Sequence, residues 1–494
     1  MTGFASSTID QATASRPGTP AELPEGADAM KVLILSWYFP PSNTIGAIRV
    51  GKLAKYLMRR NVDVRVVTAR ETDLSKTLPL EIPADRVTWT RAVDVNRPID
   101  IVGNLRNRLL RRAPKPGGGA APGASPGSAN GGRGSLVGRV LSTVSDYYLN
   151  LSNLPDRYVG WLPWAIAGAK RTCRDWKPDL IYVTGPPFTA FLAGHHLSRK
   201  LGVPWIAEFR DRWADDPYFE APDWRMALLD RMERRVAGSA SGIVTVSEPW
   251  STFYRAKYGK PVATIYNGYD PQDFPLQPDP PPSAAASPVG SSASSPDLTI
   301  TYAGVLYSGR RDPSALFEAL ALLGPERQRI RIEFYGSDPG LVLPPAEKAG
   351  VSDRVTVHPA VPYKQSLEIQ RRSDVLLLLQ WNNPREQGNV PAKLFEYFGV
   401  LRPILGIGLE DGVPARLIRE RQAGFFSNDP EAIAAQLRRW LVAKDAAGGR
   451  LPGLPPAARE GLSRDIQFER LLDFCIKVTE PVGARHTSNC GAQT

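Results

Sequence analysis

The chain has 494 residues, of which 42% are hydrophobic, and a formal net charge of +11 at pH 7. This length provides material for two core-bearing domains, whereas 4 histidines and 3 scattered cysteines argue against a zinc knuckle, a disulfide framework or redox chemistry. No apolar run approaches the roughly 18 to 20 residues that span a bilayer, and the polar N-terminus lacks the apolar core of a signal peptide. Composition therefore predicts a protein of the reducing cytoplasm with few residues available for metal or redox chemistry; no cofactor is expected.

Stretches of low-complexity composition divide the chain. They are rich in Gly, Pro, Ala and Ser, and they bury too little apolar surface to offset the entropy lost on ordering. The predicted order along the chain is a disordered leader at 1–29, an N-terminal domain at 30–274 with a flexible insertion at 114–135, a linker at 275–297, a C-terminal domain at 298–445, a helical segment at 446–480 and a disordered tail at 481–494.

Short apolar runs alternate with helix-length segments on both sides of the linker. The runs that we predict as strands begin at Lys31, Val62, Asp179, Pro204, Gly242, Leu298, Ile330, Val355, Val375 and Pro403. After the first run, the next apolar residues have helical spacing, namely Val50, Leu53, Ala54 and Leu57. Repeated βα units predict a parallel sheet with helices on both faces. The expected fold class is therefore α/β, with two Rossmann-like, doubly wound domains whose strand ends face each other across a cleft.

The most informative stretch begins with the apolar run Val375–Leu379, which is typical of a parallel strand buried on both faces. A short loop then leads to Pro391, a residue suited to the first turn of a helix. Free N–H groups at a helix N-terminus favour an anion such as a diphosphate, and Glu396 would lie one turn deeper, where it can accept hydrogen bonds from ribose hydroxyls. The alternative is a plain strand-to-helix turn with Lys393 and Glu396 as an exposed i,i+3 pair.

Two other loops also follow predicted strands. Gly46 and Ala47 open the first helix, and small residues there let a phosphate or sugar approach the backbone. The sequence G-x-x-x-x-G at 304–309 is followed by Arg310 and Arg311, which would neutralise a diphosphate leaving group; either arginine is alternatively a solvated surface charge. Neither loop is a G-x-G-x-x-G fingerprint, which argues against a nicotinamide or flavin site.

The order of these motifs resembles that of GT-B fold glycosyltransferases, in particular the large retaining group called family 4. The resemblance covers residues 30 to about 480, and it is carried by W-Y-F-P-P-S-N-T-I-G-A-I-R, D-L-I-Y-V-T-G-P-P-F, E-F-R-D-R-W-A-D-D-P-Y, V-T-V-S-E-P, I-Y-N-G-Y-D, Y-A-G-V-L-Y-S-G-R-R-D-P, F-Y-G-S and P-A-K-L-F-E-Y-F. It implies transfer of a sugar from a nucleotide diphosphate donor, without a metal ion, to a glycan or polyprenyl-linked acceptor held mainly by the N-terminal domain.

The resemblance also assigns roles to individual residues. It implies that the loop 360–362, centred on Val361, contacts the base, that Glu396 contacts the ribose, and that Arg310 and Lys393 contact the phosphates. The donor-binding residues expected from all these arguments are Gly46, Arg310, Arg311, Gly336, Val361, Pro391, Lys393 and Glu396. On the acceptor side we expect Asn43 and Trp213, although core packing is the commoner role for a tryptophan.

The chain departs from this family at one position that affects the mechanism. Members often carry two glutamates separated by seven residues, but eight positions before Glu396 this chain has Gly388. Either Glu386 reaches the sugar from a loop of different length, or backbone N–H groups hold the sugar instead. Retention of configuration rests on kinship alone. Asp211, just past a strand end, is expected beside the reacting sugar with Arg310 and Glu386; its alternative role is a salt bridge to a neighbouring arginine.

Basic residues cluster in L-R-N-R-L-L-R-R at 105–112, before the flexible insertion. Short basic amphipathic segments bind anionic membrane surfaces, so we expect peripheral association with the inner face of the cytoplasmic membrane; a solvated helix is the alternative. A nucleic-acid partner is not expected, because no aromatic residues interleave with the charges. Two other functions remain open, a sugar-nucleotide epimerase of the same fold and a catalytically silent scaffold.

Overall fold

A computed structural model of the chain describes residues 29–70, 74–97, 147–274 and 297–480. The predicted leader, insertion, linker and tail fall largely outside these ranges, as does the basic segment 105–112. Helices and strands alternate in the first part of the chain, in the order β1 (Lys31–Ser36), α1 (Ile45–Arg59), β2 (Asp63–Ala69), β3 (Val87–Thr90), α2 (Leu162–Thr172), β4 (Leu180–Gly185), α3 (Thr189–Leu201), β5 (Trp205–Phe209), α4 (Asp223–Ala237), β6 (Gly242–Thr245), α5 (Glu248–Tyr258) and β7 (Val262–Thr264).

The second part of the chain repeats this alternation and adds a final helix. Its elements are β8 (Leu298–Ala303), α6 (Ser314–Leu322), β9 (Ile330–Tyr335), α7 (Pro339–Lys348), β10 (Val355–His358), α8 (Tyr363–Arg372), β11 (Val375–Leu379), α9 (Ala392–Val400), β12 (Ile404–Ile407), α10 (Val413–Glu420), β13 (Gly424–Phe426), α11 (Pro430–Ala446) and α12 (Arg464–Thr479). Short 3₁₀ turns lie at Ala84–Arg86, Val159–Trp161, Gly324–Arg329, Ser352–Arg354, Pro384–Glu386 and Pro456–Arg459.

Within the described residues each domain is built on one parallel sheet. The N-terminal sheet has the strand order β3-β2-β1-β4-β5-β6-β7, and the C-terminal sheet has the order β10-β9-β8-β11-β12-β13. Apolar clusters cover both faces of each sheet, because the central strands carry apolar residues on both faces. The predicted pair of doubly wound domains is therefore confirmed.

The strand order places the ligand-binding edge of each domain. Both sheets reverse direction of winding between the strand that opens the domain and its crossover neighbour, at β1/β4 and at β8/β11. In open α/β sheets, ligands bind beyond the carboxyl ends of the strands at such switch points. The loops that follow β1, β4, β8 and β11 are thus the positions where the fold favours a site.

The last helix ties the two domains together. On α12, Phe468, Leu471, Leu472 and Cys475 are buried in the same cluster as residues of β1 and α1 in the N-terminal domain. The last described helix therefore follows the C-terminal domain in the chain but packs on the N-terminal domain. No helix of the described residues is long and apolar enough to cross a membrane.

Candidate donor and acceptor sites in the cleft

The Lys393 side chain reaches from the start of α9 to the carboxyl end of β8. Its Nζ donates to the Ala303 carbonyl at 2.9 Å and lies 3.9 Å from the centroid of the Tyr302 ring. Gly304 makes this approach possible, because a Cβ there would lie 2.7 Å from Nζ and the residue has a φ of +140°. The ammonium is thus fixed at the switch point of the C-terminal sheet.

Arg310 and Arg311 bring two more cations to this end of the sheet. Arg311 donates to the Val305 carbonyl at 3.2 Å, and its Nε is buried without a partner. The Arg310 guanidinium carbon lies 4.6 Å from the Tyr218 ring centroid and 5.1 Å from that of Trp381. None of the three cations forms an ion pair with a carboxylate in the described part of the chain, so no direct carboxylate contact neutralises their charge among those residues.

The electrostatics of neighbouring groups reflect this concentration of charge. Burial lowers the pKa of Lys393, and the nearby Arg311 lowers it further. Burial alone would raise the pKa of Tyr302, but the cations of Lys393 and Arg311 outweigh it and lower that pKa below its usual value. Cations concentrated at a strand end create a positive potential that favours binding of an anionic diphosphate.

Glu396 lies one helical turn beyond Lys393 and does not pair with it. Its Oε2 accepts from Gln370 Nε2 at 3.3 Å, and burial raises its pKa. The alternative of an exposed i,i+3 ion pair is therefore wrong. The helix itself begins at Ala392 with Pro391 as its N-cap residue, one position later than the sequence predicts.

The ends of β9 and β10 flank this cluster. Gly336 has a φ of +76°, donates its backbone N–H to the His358 carbonyl at 3.0 Å, and leaves room for Ala360, which a Cβ would meet at 3.4 Å. Ser337 Oγ donates to the Gly304 carbonyl at 2.8 Å. Val361 lies just before Pro362, the N-cap residue of α8, the helix that carries Gln370. The start of α9 and the loops after β8 and β9 are thus joined through Lys393, Gly304 and Ser337.

The loop between β11 and α9 holds Glu386, the carboxylate expected to contact the sugar. Glu386 is 3% exposed, and it accepts hydrogen bonds from Asn389 Nδ2 at 2.9 Å and from the hydroxyl of Tyr218, in the N-terminal domain, at 2.5 Å. Burial raises its pKa, although Tyr218, Arg311 and Asn389 oppose that shift. A buried carboxylate beside two arginines can order a sugar hydroxyl.

In the N-terminal domain, Arg210 occupies a position that the sequence analysis missed. Its guanidinium lies against the start of α1, where a Cβ on Gly46 would be 2.0 Å from Nη1. It also donates to the Pro186 carbonyl after β4, and burial lowers its pKa. The sequence feature that could have indicated this role is the position of Arg210, one residue after Phe209, where β5 ends. Thr44 caps α1 by accepting from Ala47 N at 3.1 Å, which fixes Gly46 beside this cation.

The acceptor-side expectations have different outcomes. Asp211 is exposed just past β5 and forms an ion pair with neither neighbouring arginine of the described chain. Asn43 donates to Thr77 Oγ1 at 2.9 Å within its own domain. Trp213 is 3% exposed and stacks on Phe188 with ring centroids 5.0 Å apart. Because its ring is committed to the core, the structure argues against a stacking role for Trp213 on a sugar.

Asp216 is a further titratable group of the cleft that sequence reasoning did not single out. Burial, together with the charge of Asp211, raises its pKa to about 6, while Arg310 across the cleft and Arg212 oppose the shift. Its carboxylate accepts from the backbone N–H of Tyr218 at 2.8 Å. The described residues bring together no group of three or more His, Cys, Asp or Glu side chains suited to a metal ion.

Comparison with known proteins agrees with this architecture. Residues 46–268 match a family model described as glycosyl transferase 4-like domain. No curated protein sequence matches the chain.

Solved structures with the same fold include HepE from Anabaena in complex with UDP, with a TM-score of 0.53 and 13% identity over 91% of this chain and 100% of that one. The lipopolysaccharide outer core galactosyltransferase WaaB matches with a TM-score of 0.52 and 12% identity over 91% of this chain and 99% of that one. WaaG, a glycosyltransferase involved in lipopolysaccharide biosynthesis, matches with a TM-score of 0.51 and 14% identity over 90% and 99%. Residues 46–268 thus resemble a glycosyl transferase 4-like domain, and the chain has the two-domain GT-B fold of these solved structures.

Proposed function

We propose that this enzyme transfers a sugar from a nucleoside diphosphate donor to a glycan or lipid-linked acceptor during polysaccharide biosynthesis. The observation that carries the proposal is the cluster of Lys393, Arg310 and Arg311 at the end of β8, three cations without a carboxylate partner among the described residues. Leaving such charge unpaired costs stability unless a ligand neutralises it.

The arrangement supports a division of roles around the donor. Lys393, Arg310 and Arg311 hold the diphosphate, and Glu396 accepts hydrogen bonds from the ribose one turn deeper along α9. Arg310 stabilises the charge that grows on the leaving phosphate. We propose that these cations do so without a metal ion. Val361 and Gly336 border the place of the base. There the loops after β9 and β10 approach each other, and a Cβ on Gly336 would lie 3.4 Å from Ala360.

The reacting sugar would lie between the two domains. Glu386 approaches it from the C-terminal domain, and Asp211 and Gly46 approach it from the N-terminal domain. Retention of configuration remains a proposal that rests on kinship. Two comparisons guide the choice of substrates: HepE binds UDP, and the names of WaaB and WaaG refer to lipopolysaccharide biosynthesis. UDP-sugars and lipid-linked glycans are therefore the first candidates.

The test is incubation with radiolabelled sugar nucleotides and a bacterial membrane fraction, followed by separation of lipid extract, polymer and free sugar nucleotide. Label in lipid or polymer with the parent protein, and a large loss of it with Glu396→Gln, is the expected result. Conversion of the donor to an epimer without transfer would show that the protein is a sugar-nucleotide epimerase. If no sugar nucleotide in the panel is consumed or bound, the chain is a silent scaffold and the proposal is wrong.

We also propose that the enzyme works at an anionic membrane surface. An apolar surface patch supports this, because Tyr147, Leu151 and Trp224 are exposed by 62%, 53% and 41%, and the rings of Tyr147 and Trp224 are 5.8 Å apart. Tyrosine and tryptophan favour the membrane interface. Tyr147 is the first described residue after the gap at 98–146, a gap that includes the basic segment 105–112.

Sedimentation with lipid vesicles tests this membrane proposal. Binding should require anionic lipid and weaken as salt rises, since surface charges are screened beyond about 10 Å at 0.1 M salt. Replacement of the four arginines of the basic segment by serine should release the protein; they are Arg106, Arg108, Arg111 and Arg112. The matched control removes the same charge from the C-terminal domain, at the exposed Arg416, Arg419, Arg438 and Arg439. Equal binding by both variants would favour a soluble acceptor.

A further inference from the structure

Tyr218 is the point at which the N-terminal domain touches the donor-side charges. It lies in the loop between β5 and α4, and its hydroxyl donates to Glu386 Oε2 at 2.5 Å. The face of the same ring lies against Arg310, whose guanidinium carbon is 4.6 Å from its centroid, and the Trp381 ring is tilted against it, with ring centroids 6.0 Å apart. One side chain thus contacts both an expected sugar ligand and an expected leaving-group cation.

The segment that carries Glu386 is held against the N-terminal domain at a second point. Trp250, near the start of α5, donates its indole N–H to the Gln387 carbonyl at 3.2 Å. Gly388 has a φ of +87°, and a Cβ there would lie 2.4 Å from the indole ring. Trp250 therefore fixes the backbone of the segment, whereas Tyr218 fixes the carboxylate. The position of Glu386 depends on both domains.

We infer that Tyr218 is a positioning residue that orients the Glu386 carboxylate and the Arg310 guanidinium for sugar transfer, and that it does so only when the two domains are apposed. This inference rests on the proposed function, since it assigns Glu386 and Arg310 to the donor. The hydroxyl and the ring have separable tasks. The hydroxyl supplies a neutral donor to an otherwise poorly solvated carboxylate, and the ring supplies a π face to a cation that has no carboxylate partner within the described chain.

The groups that face Glu386 determine how its proton affinity responds to a change at Tyr218. They are the Tyr218 hydroxyl, the Asn389 amide and the cations of Arg310 and Arg311, and all of them oppose the rise in pKa that burial causes. Removing the hydroxyl takes away one of the groups that lower the pKa of Glu386, so the effect of burial on that pKa is less opposed. The pKa of Glu386 then rises further, and the carboxylate is lost at a higher pH than in the parent protein.

The experiment compares Tyr218→Phe, which removes only the hydroxyl, with Tyr218→Ala, which removes the ring as well. For Tyr218→Phe we expect kcat to fall about tenfold, with little change in UDP affinity, and the acid limb of the pH–rate profile to move to higher pH. Tyr218→Ala should in addition weaken UDP binding, because Arg310 loses one of its two rings. In a Glu386→Gln background, Tyr218→Phe should have no further effect on kcat.

The matched control is Tyr56→Phe. Tyr56 also donates to a glutamate distant in sequence, Glu469 on α12, but it lies ten residues after Gly46, about 15 Å further along the same helix. This variant should keep the parent kcat and pH profile. If it shifts the acid limb as Tyr218→Phe does, the effect reflects general loosening and the inference is wrong.

A second measurement does not depend on transfer activity. The pKa of Glu386 can be followed by carbon NMR in protein with labelled glutamate carboxyls, with the signal assigned from Glu386→Gln. The Tyr218→Phe protein should show a higher pKa for this signal than the parent. An unchanged pKa would overturn the inference even in an active enzyme, whereas an upward shift in a protein that transfers no sugar would leave the pairing intact and count against the proposed function alone.

Discussion

Replacement of Lys393 by methionine should separate nucleotide binding from folding. The ammonium is expected to contact the donor diphosphate, and a hydrogen bond to a charged partner contributes about 1.5–3 kcal/mol. Loss of about 2 kcal/mol corresponds to an affinity roughly thirtyfold weaker. Methionine has a similar length and keeps the apolar stem packed beside Tyr302, so the change removes mainly the charge.

The stability of the same variant follows from two opposing contributions. The hydrogen bond from Nζ to the Ala303 carbonyl, 2.9 Å long, is lost, which costs about 1.5–3 kcal/mol. Removal of a buried ammonium that lacks a carboxylate partner in the described chain also ends a desolvation penalty of several kcal/mol. We therefore expect the free energy of unfolding to fall by no more than about 1 kcal/mol, far less than the loss of a contact that stabilises the fold would cause.

The stability of the parent protein relative to Lys393→Met should depend on pH, and the direction of this dependence can be predicted. Burial lowers the pKa of Lys393 below its usual value of 10.5, so just below pH 10.5 the unfolded chain binds more protons than the folded one. In that window the parent protein should gain stability relative to Lys393→Met as pH rises. Calorimetric titration with UDP and urea unfolding at several pH values measure both effects. Lys364→Met, an exposed lysine of α8, is the control. Unchanged UDP affinity together with a large loss of stability would refute the reasoning and make Lys393 a structural residue.

Two further predictions concern the groups on either side of Lys393. Glu396→Gln should weaken binding of nucleoside diphosphates by roughly 1.5–3 kcal/mol and leave the melting temperature nearly unchanged, and calorimetry that shows parent-like affinity would remove Glu396 from the site. Arg310→Ala should lower turnover on the order of a hundredfold, as other lost charge-stabilising donors do. Activity should also survive EDTA; a loss that magnesium or manganese restores would contradict the proposed metal-free mechanism.

The sequence predicted the central strands well and the edge strands poorly. The apolar runs that begin at Lys31, Leu298 and Val375 have the predicted bounds in the structure, because strands buried on both faces are continuously apolar. We missed β3, β7 and β13. They are three or four residues long and lie at sheet edges, where one side is open and the apolar signal is weak.

The site was predictable where chain order alone places residues together. Lys393 and Arg310 follow neighbouring parallel strands, so the switch-point rule brings them to one edge of the sheet. Contacts between the domains were not predictable in this way. The bonds from Tyr218 to Glu386 and from Trp250 to the Gln387 carbonyl depend on how loops of the two domains meet in space. Trp213 shows a related limit, because residue type does not reveal whether a ring faces the core or a cleft.

The interface between the domains explains why residue 388 is a glycine and not the glutamate that the resemblance leads one to expect. A glutamate there would have to adopt a φ of +87° and displace the Trp250 indole, which a Cβ would approach to 2.4 Å; the backbone conformation alone costs about 1–2 kcal/mol for a residue with a side chain. Two residues earlier, the turn Pro384–Glu386 directs a carboxylate to Tyr218 instead. The glycine lets Trp250 hold the segment that presents Glu386. A glycine at position 388 is therefore what the packing of Trp250 against this loop requires.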